Sequence, residues 1–119
     1  MPTIRVHFME VNNQSTFEGT VFVVKAGLAY EVGPTVVGDI HQWDLSKIQG
    51  LNPGDDIQAK VVTKQGTSYT CDVVITYETH PPNEAQYLVH GNVRDPKINY
   101  QAITHPGPGM NGSLEEEAT

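Results

Sequence analysis

The stretch Thr67–Glu78 reads Thr-Ser-Tyr-Thr-Cys-Asp-Val-Val-Ile-Thr-Tyr-Glu, and it decides the fold class. Its apolar and aromatic side chains occupy every second position: Tyr69, Cys71, Val73, Ile75 and Tyr77. Because side chains alternate across a strand, these point to one face, while the opposite face is polar apart from one valine. The pattern predicts an antiparallel strand with one face on a core and the other towards water.

A second predicted strand, Asp56–Lys64, comes just before this stretch and is joined to it by Gln65-Gly66. The two segments therefore predict a central hairpin. Five other segments have strand composition and are separated by turn residues: Thr3–Met9, Thr16–Lys25, Leu28–Val32, Ala85–His90 and Lys97–Ile103. Gly33-Pro34 predicts a break, and Thr35–Val37 is expected either to extend the preceding strand or to form a separate edge strand, where proline is tolerated.

The chain has 119 residues, the length of one domain. Short strands without long intervening helices predict an all-β fold, a single-domain antiparallel β-sandwich of about seven strands. We expect this domain to span residues 1–103. Residues 104–119 are rich in proline, glycine and glutamate, which predicts a flexible acidic C-terminal tail.

The formal net charge is −7, and the sequence contains no basic stripe. A surface of this sign repels phosphate backbones, so nucleic acid is not an expected partner. No apolar run is long enough for a membrane span, and the N-terminus lacks the apolar core of a signal peptide. These features favour a cytoplasmic protein, with secretion by a leaderless route as the open alternative. The single cysteine, Cys71, is expected to be a core packing residue.

The candidate binding residues lie in the segment Gly38–Asp55, which has the weakest periodicity in the middle of the chain. Here Trp43 is flanked by Gln42 and Asp44, with Asp39 nearby. An indole ring can stack on the apolar face of a sugar while amide and carboxylate neighbours bind its hydroxyls. We therefore expect a non-enzymatic, lectin-like protein that binds carbohydrate through these four residues. The competing interpretation places the indole in the core as a plug.

Two other functions stay open at this stage. One is a structural protein that assembles into a homo-oligomer through exposed strand edges, since Val21–Val24 is apolar on both faces. The other is a small metal-dependent hydrolase. The sequence contains no spaced metal-ligand motif, nucleophile elbow or phosphate-binding loop, so no metal, cofactor or catalytic residue is predicted. His80 and His90 flank one loop, and the sequence does not determine whether they converge.

Asp44 also carries a structural expectation. An aspartate placed before Ser46–Gln49 can cap a single helical turn that ends at Gly50. The turn signal Asn52-Pro53-Gly54 follows and leads into the central hairpin.

Overall fold

The computed structural model describes residues 4–80 and 82–104. The predicted C-terminal tail lies outside these residues, except for Thr104, which ends the last strand. The described part of the chain forms ten strands: β1 Arg5–Val6, β2 Phe8–Asn13, β3 Gly19–Lys25, β4 Leu28–Thr35, β5 Ile40–Asp44, β6 Asp56–Thr63, β7 Ser68–Thr70, β8 Ile75–Tyr77, β9 Glu84–Asn92 and β10 Asp95–Thr104. One 3-10 turn, Leu45–Lys47, follows β5.

The strands form two sheets that pack as a sandwich, which confirms the all-β single-domain prediction. One sheet is six-stranded, with the order β1-β8-β6-β3-β4 and with β7 also paired to β6. The other is four-stranded, with the order β10-β9-β2-β5. Both sheets are mixed, because β1 pairs parallel to β8 and β2 pairs parallel to β9.

The parallel pairs arise where the N-terminal run crosses from one sheet to the other. The predicted strand Thr3–Met9 is interrupted at His7, which separates β1 from β2. The carbonyl of Asn83 accepts hydrogen bonds from both His7 and Phe8, at 2.9 and 3.0 Å. One extended segment therefore contributes a strand to each sheet and ties the two together.

The central hairpin forms as predicted, but its second half is two strands rather than one. β7 and β8 both pair with β6, and residues 71–74 separate them. Between the pairs Lys60↔Thr70 and Ile57↔Ile75, β6 advances by three residues and the segment from β7 to β8 advances by five. That segment therefore contains two extra residues. Because the side-chain period is two, an insertion of two residues leaves the face unchanged. Cys71 and Ile75 are accordingly both buried.

The core lies between the two sheets and is one contiguous apolar cluster. The four-stranded sheet contributes the buried side chains Met9, Val11, Ala85, Tyr87, Val89 and Ile98. The facing sheet contributes valines from β3 and β6 together with Ile57 and Ile75. Cys71 is fully buried, which confirms it as a packing residue.

Two predictions for the region between β3 and β6 were wrong, and one is confirmed. Gly33-Pro34 does not end a strand, because β4 continues to Thr35 through a register shift opposite Val21 and Phe22. The irregular segment that contains Trp43 is in fact strand β5. Both strands lie at sheet edges, where proline and weak periodicity are tolerated. Asp44 does cap the 3-10 turn, since its side chain accepts from the Ser46 amide.

None of the helical structure among the described residues has the length and hydropathy needed to cross a bilayer.

Candidate functional site

The predicted site residues lie on or beside β5, but they do not face the same way. Trp43 and His41 stand opposite Met9 and Val11, whose side chains are buried, so they share the inner face. Their rings stack, with centroids 5.4 Å apart and planes 21° apart. The indole lies against β4, because a Cβ placed at Gly33 would be 2.7 Å from the Trp43 Nε1 atom. Trp43 therefore closes the open side of the sandwich between the two edge strands.

Gln42 lies on the opposite, outer face of the four-stranded sheet, directly opposite Glu10. Asp39 is exposed, and its carboxylate is 3.8 Å from the His41 ring nitrogen Nε2. Asp44 is held by local contacts with Ser46. The structure thus brings Trp43 near His41 and separates it from Gln42. Carbohydrate binding by the four residues together stays a prediction.

Asp44 is the centre of a small polar cluster with His7 and Ser46. Its Oδ1 atom accepts from the Ser46 amide at 2.9 Å and from the Ser46 hydroxyl at 2.6 Å, and it lies 2.9 Å from His7 Nε2. Partial burial acts in the opposite direction, but the hydrogen bonds from Ser46 and the neighbouring His7 lower the pKa of Asp44. In a catalytic triad the histidine lies between the acid and the nucleophile. Here the carboxylate lies in the middle, an order that differs from that of a triad, and it caps the turn.

A different group of polar side chains meets on the outer face. Glu10 of β2 stands between Gln42 of β5 and Gln86 of β9 in the strand register. Glu84 lies two residues before Gln86 and therefore on the same face. The Gln42 side-chain amide donates a hydrogen bond to Glu84 Oε1. We call Glu10, Gln42, Glu84 and Gln86 the acid–amide cluster.

Glu84 is unusual because it is only 2% exposed although it belongs to the outer face. Its neighbour Glu10 is partly buried and hydrogen-bonded to it. Burial, this hydrogen bond and the charge of Glu84 together raise the pKa of Glu10 from 4.5 to about 7. The raised pKa favours the protonated form of Glu10, which can donate a hydrogen bond.

A shallow depression of about 120 Å³ adjoins the acid–amide cluster. Its walls are formed by Glu10, Asn12, Gln86, Tyr87, Leu88 and Gln101. Gln101 reaches this position because the register between β9 and β10 shifts between Tyr100 and Ala102, which leaves it at a bulge. The depression offers amide donors, amide and carboxyl acceptors, and one apolar side chain.

His80 and His90 do not converge. His80 is exposed in the loop before β9, whereas the His90 ring is hydrogen-bonded to Asn99 towards the other end of that strand. About six residues of extended chain, roughly 20 Å, separate Glu84 from His90 along β9. In the part of the chain that the structure describes, no group of three or more His, Cys, Asp or Glu side chains is placed to hold a metal ion.

The acid–amide cluster has no local signal in the sequence. Glu10 and Glu84 come from distant parts of the chain, and only the parallel pairing of β2 with β9 brings them together. Each strand does show polar residues on alternate positions, as in Glu84 and Gln86 against Ala85 and Tyr87. That pattern predicts that one face of each strand is turned away from the core. It does not predict which strands are neighbours in the sheet.

Comparisons with protein families, curated proteins and solved structures found no match to this chain. A functional assignment therefore depends on the geometry of the outer face.

Proposed function

We propose that this protein is a non-enzymatic binding protein that recognises a carbohydrate on the outer face of its four-stranded sheet. The site comprises the acid–amide cluster and the depression beside it. The observation that carries the proposal is the convergence of amide and carboxyl groups from three neighbouring strands, among them the nearly fully buried Glu84.

The burial of Glu84 supports a functional role for this face. Removing a carboxylate from water is unfavourable unless hydrogen bonds compensate, and an apolar residue could fill the same space without that penalty. The compensation here comes from Gln42 and Glu10. Such a network fixes the orientation of its polar groups, and fixed polar groups are what a specific ligand needs.

The chemistry of the face matches that of sugar hydroxyls, which both donate and accept hydrogen bonds. The side-chain amides of Gln86, Asn12 and Gln101 also do both. Neighbouring strands lie about 4.8 Å apart, which spaces these groups so that several can contact one sugar ring. Leu88 supplies an apolar contact for the C–H groups of the ring.

The contact between the two carboxyl groups favours binding over glycoside hydrolysis. Glycosidases hold their two carboxyls about 5 to 9.5 Å apart so that the reacting carbon, or a water molecule, fits between them. Glu10 and Glu84 are hydrogen-bonded to each other and leave no such space.

A glycan array followed by titration calorimetry tests the proposal. Gln86→Ala and Asn12→Ala should each weaken binding about tenfold or more, since each removes a hydrogen-bonding group worth about 1.5 kcal/mol. Gln65→Ala, in the exposed turn between β6 and β7, is the matched control and should bind like the wild type.

Two results would contradict the proposal. One is an array on which no glycan binds. The other is a glycan whose affinity falls in Trp43→Phe but not in Gln86→Ala, because that result would place the site at the β5 edge instead.

A further inference from the structure

The two carboxyl groups of the acid–amide cluster need a proton between them. Glu10 and Glu84 are hydrogen-bonded to each other. An ionised carboxylate has acceptor atoms and no donor, so two ionised groups cannot form this bond. The contact therefore forms only while the pair carries a proton. Glu84 is buried and accepts from the Gln42 amide, so Glu10, which is partly exposed, is the member that can move away.

In the part of the chain that the structure describes, no ion pair includes Glu10 or Glu84. The other titratable side chains on this face are Asp44 with its partner His7 at the end of β5, His90 on β9, and Asp95 and Lys97 on β10. Lys97 is paired with Asp95 and stands four positions along the β9–β10 ladder from Gln86, about 13 Å away. Salt largely screens exposed charges at that separation. Loss of the proton therefore leaves two negative groups in contact without compensation.

The depression beside the cluster contains donors that an ionised Glu10 can reach. Glu10 lines it together with Asn12 and Gln86. Gln86 stands directly across from Glu10 on β9, and Asn12 lies two residues further along β2 on the same face. A carboxylate accepts from an amide N–H more strongly than a neutral group does. The amides that would bind a sugar are therefore also the nearest partners of a Glu10 carboxylate that has left Glu84.

We propose that Glu10 is a proton-controlled switch of the depression. The protonated carboxyl group donates to Glu84 and leaves the neighbouring amides to the sugar. The ionised carboxylate turns away from Glu84 and accepts from the amides of Asn12 and Gln86. The proposal rests on the proposed carbohydrate site and adds the regulation of that site. Because the pKa of Glu10 is raised to about 7, the switch operates as the pH rises through the neutral range.

The switch can be measured without a ligand, so its failure is distinct from failure of the sugar site. NMR of the protein labelled with ¹³C and ¹⁵N follows the Glu10 carboxyl carbon and the side-chain amide of Gln86 as the pH is raised. Both signals should move together, with a midpoint near pH 7. A Glu10 carboxyl group that titrates at its ordinary value of 4.5 would overturn the switch. A Gln86 amide that does not follow Glu10 would do the same.

Three substitutions assign the transition to the carboxyl pair. In Glu10→Gln the Gln86 amide should no longer respond to pH, because the new side chain does not titrate and can still donate to Glu84. Glu84→Gln removes the neighbouring charge and should lower the midpoint of Glu10. The exposed Glu31→Gln on β4 is the matched control and should leave the midpoint unchanged.

Glu10→Gln decides the assignment even if Glu84→Gln does not fold, because Glu10 is only partly buried. A Gln86 amide that still titrates near pH 7 in Glu10→Gln would overturn the proposal. A midpoint that is unchanged in a folded Glu84→Gln would also contradict it, since Glu84 would then not be the partner.

Calorimetry with a neutral glycan that the array identifies connects the switch to binding. The affinity of the wild type should fall about tenfold or more between about pH 5.5 and about pH 8.5, because only the protonated fraction is competent to bind. In Glu10→Gln it should stay constant within about twofold, whereas Glu31→Gln should keep the pH dependence of the wild type. A glycan that depends on Gln86 but binds the wild type equally at both pH values would overturn the switch and leave the site. An NMR transition without any glycan binding would contradict the proposed function and leave the proton-dependent contact.

Discussion

The two faces of the four-stranded sheet show how one set of strands can serve two purposes. The inner face is apolar, and Met9, Val11 and Val89 are fully buried in the core. The outer face carries carboxyl and amide groups, of which one, Glu84, is as buried as the core residues. The inner face derives its stability from packing, whereas the outer face holds the Glu84 carboxyl group out of water through a hydrogen-bond network.

This difference separates residues that determine the fold from residues that can determine a function. A buried apolar side chain is explained by the stability it contributes. The carboxyl pair on the outer face is not, because burial and the neighbouring Glu84 raise the energy of the ionised form of Glu10. We therefore expect substitutions on the inner face to change mainly stability, and substitutions on the outer face to change mainly pH dependence and ligand binding.

The largest effect is expected from truncating the inner face. Met9→Ala should lower the free energy of unfolding by about 2–5 kcal/mol, because it leaves a cavity in a fully buried site. Gln86→Ala on the outer face should change it by less than about 1 kcal/mol. Urea denaturation of the two variants measures both values. Equal losses would show that the two faces do not differ in the way described.

The next largest effect on stability is expected near Trp43, at the edge of the inner face. Gly33→Ala should lower the free energy of unfolding by about 1–3 kcal/mol, since the new methyl group would overlap the Trp43 ring and displace it. Trp43 is the single tryptophan of the chain, so its fluorescence reports the displacement directly. We expect a red-shifted emission maximum in the folded variant. An unchanged spectrum would mean that Trp43 does not close this side of the sandwich.

The outer face should show a pH dependence that the inner face lacks. The pKa of Glu10 rises from 4.5 to about 7 on folding, so the folded state binds more protons between these values. The contribution of Glu10 to the free energy of unfolding therefore falls as pH rises from 4.5 to about 7, and is level above that. Because Glu10 is partly exposed, solvent screening limits this effect to the order of 1 kcal/mol.

Glu10→Gln isolates that contribution, because the amide resembles the protonated carboxyl and does not titrate. Relative to the wild type, the variant should become more stable as pH rises through this window and keep its advantage at pH 8. Denaturation at several pH values measures the difference, and the exposed Glu31→Gln on β4 serves as the control. A constant difference between variant and wild type across the window would contradict the assignment of the raised pKa to Glu10.

The smallest effect concerns a polar atom on the inner face. The Tyr87 hydroxyl is buried and has no hydrogen-bond partner among the described residues, and burial raises its pKa. Tyr87→Phe removes this unsatisfied group and should leave the thermal stability unchanged or raise it by up to about 1 kcal/mol. Tyr100→Phe on the neighbouring strand is the comparison. A clear loss of stability in Tyr87→Phe would show that the hydroxyl does have a partner.

Some features of the fold could be predicted from the sequence, and others could not. The alternation through Tyr69, Cys71 and Ile75 predicted the buried face correctly even though the strand is interrupted, because an insertion of two residues keeps the period. The sequence could not reveal that Trp43 and Gln42 face opposite sides, because edge strands such as β5 are short and show little hydrophobic periodicity.

The sequence by itself determined the all-β class, the central hairpin, the burial of Cys71 and the cap at Asp44. Each of these depends on interactions between residues close in the chain or on the period of two, which any strand obeys. Only the tertiary structure decided that β2 lies parallel to β9, that Glu10 meets Glu84, and that β5 lies at a sheet edge. Strand order and register depend on contacts between residues far apart in the chain. The local pattern of a single sequence therefore does not predict them.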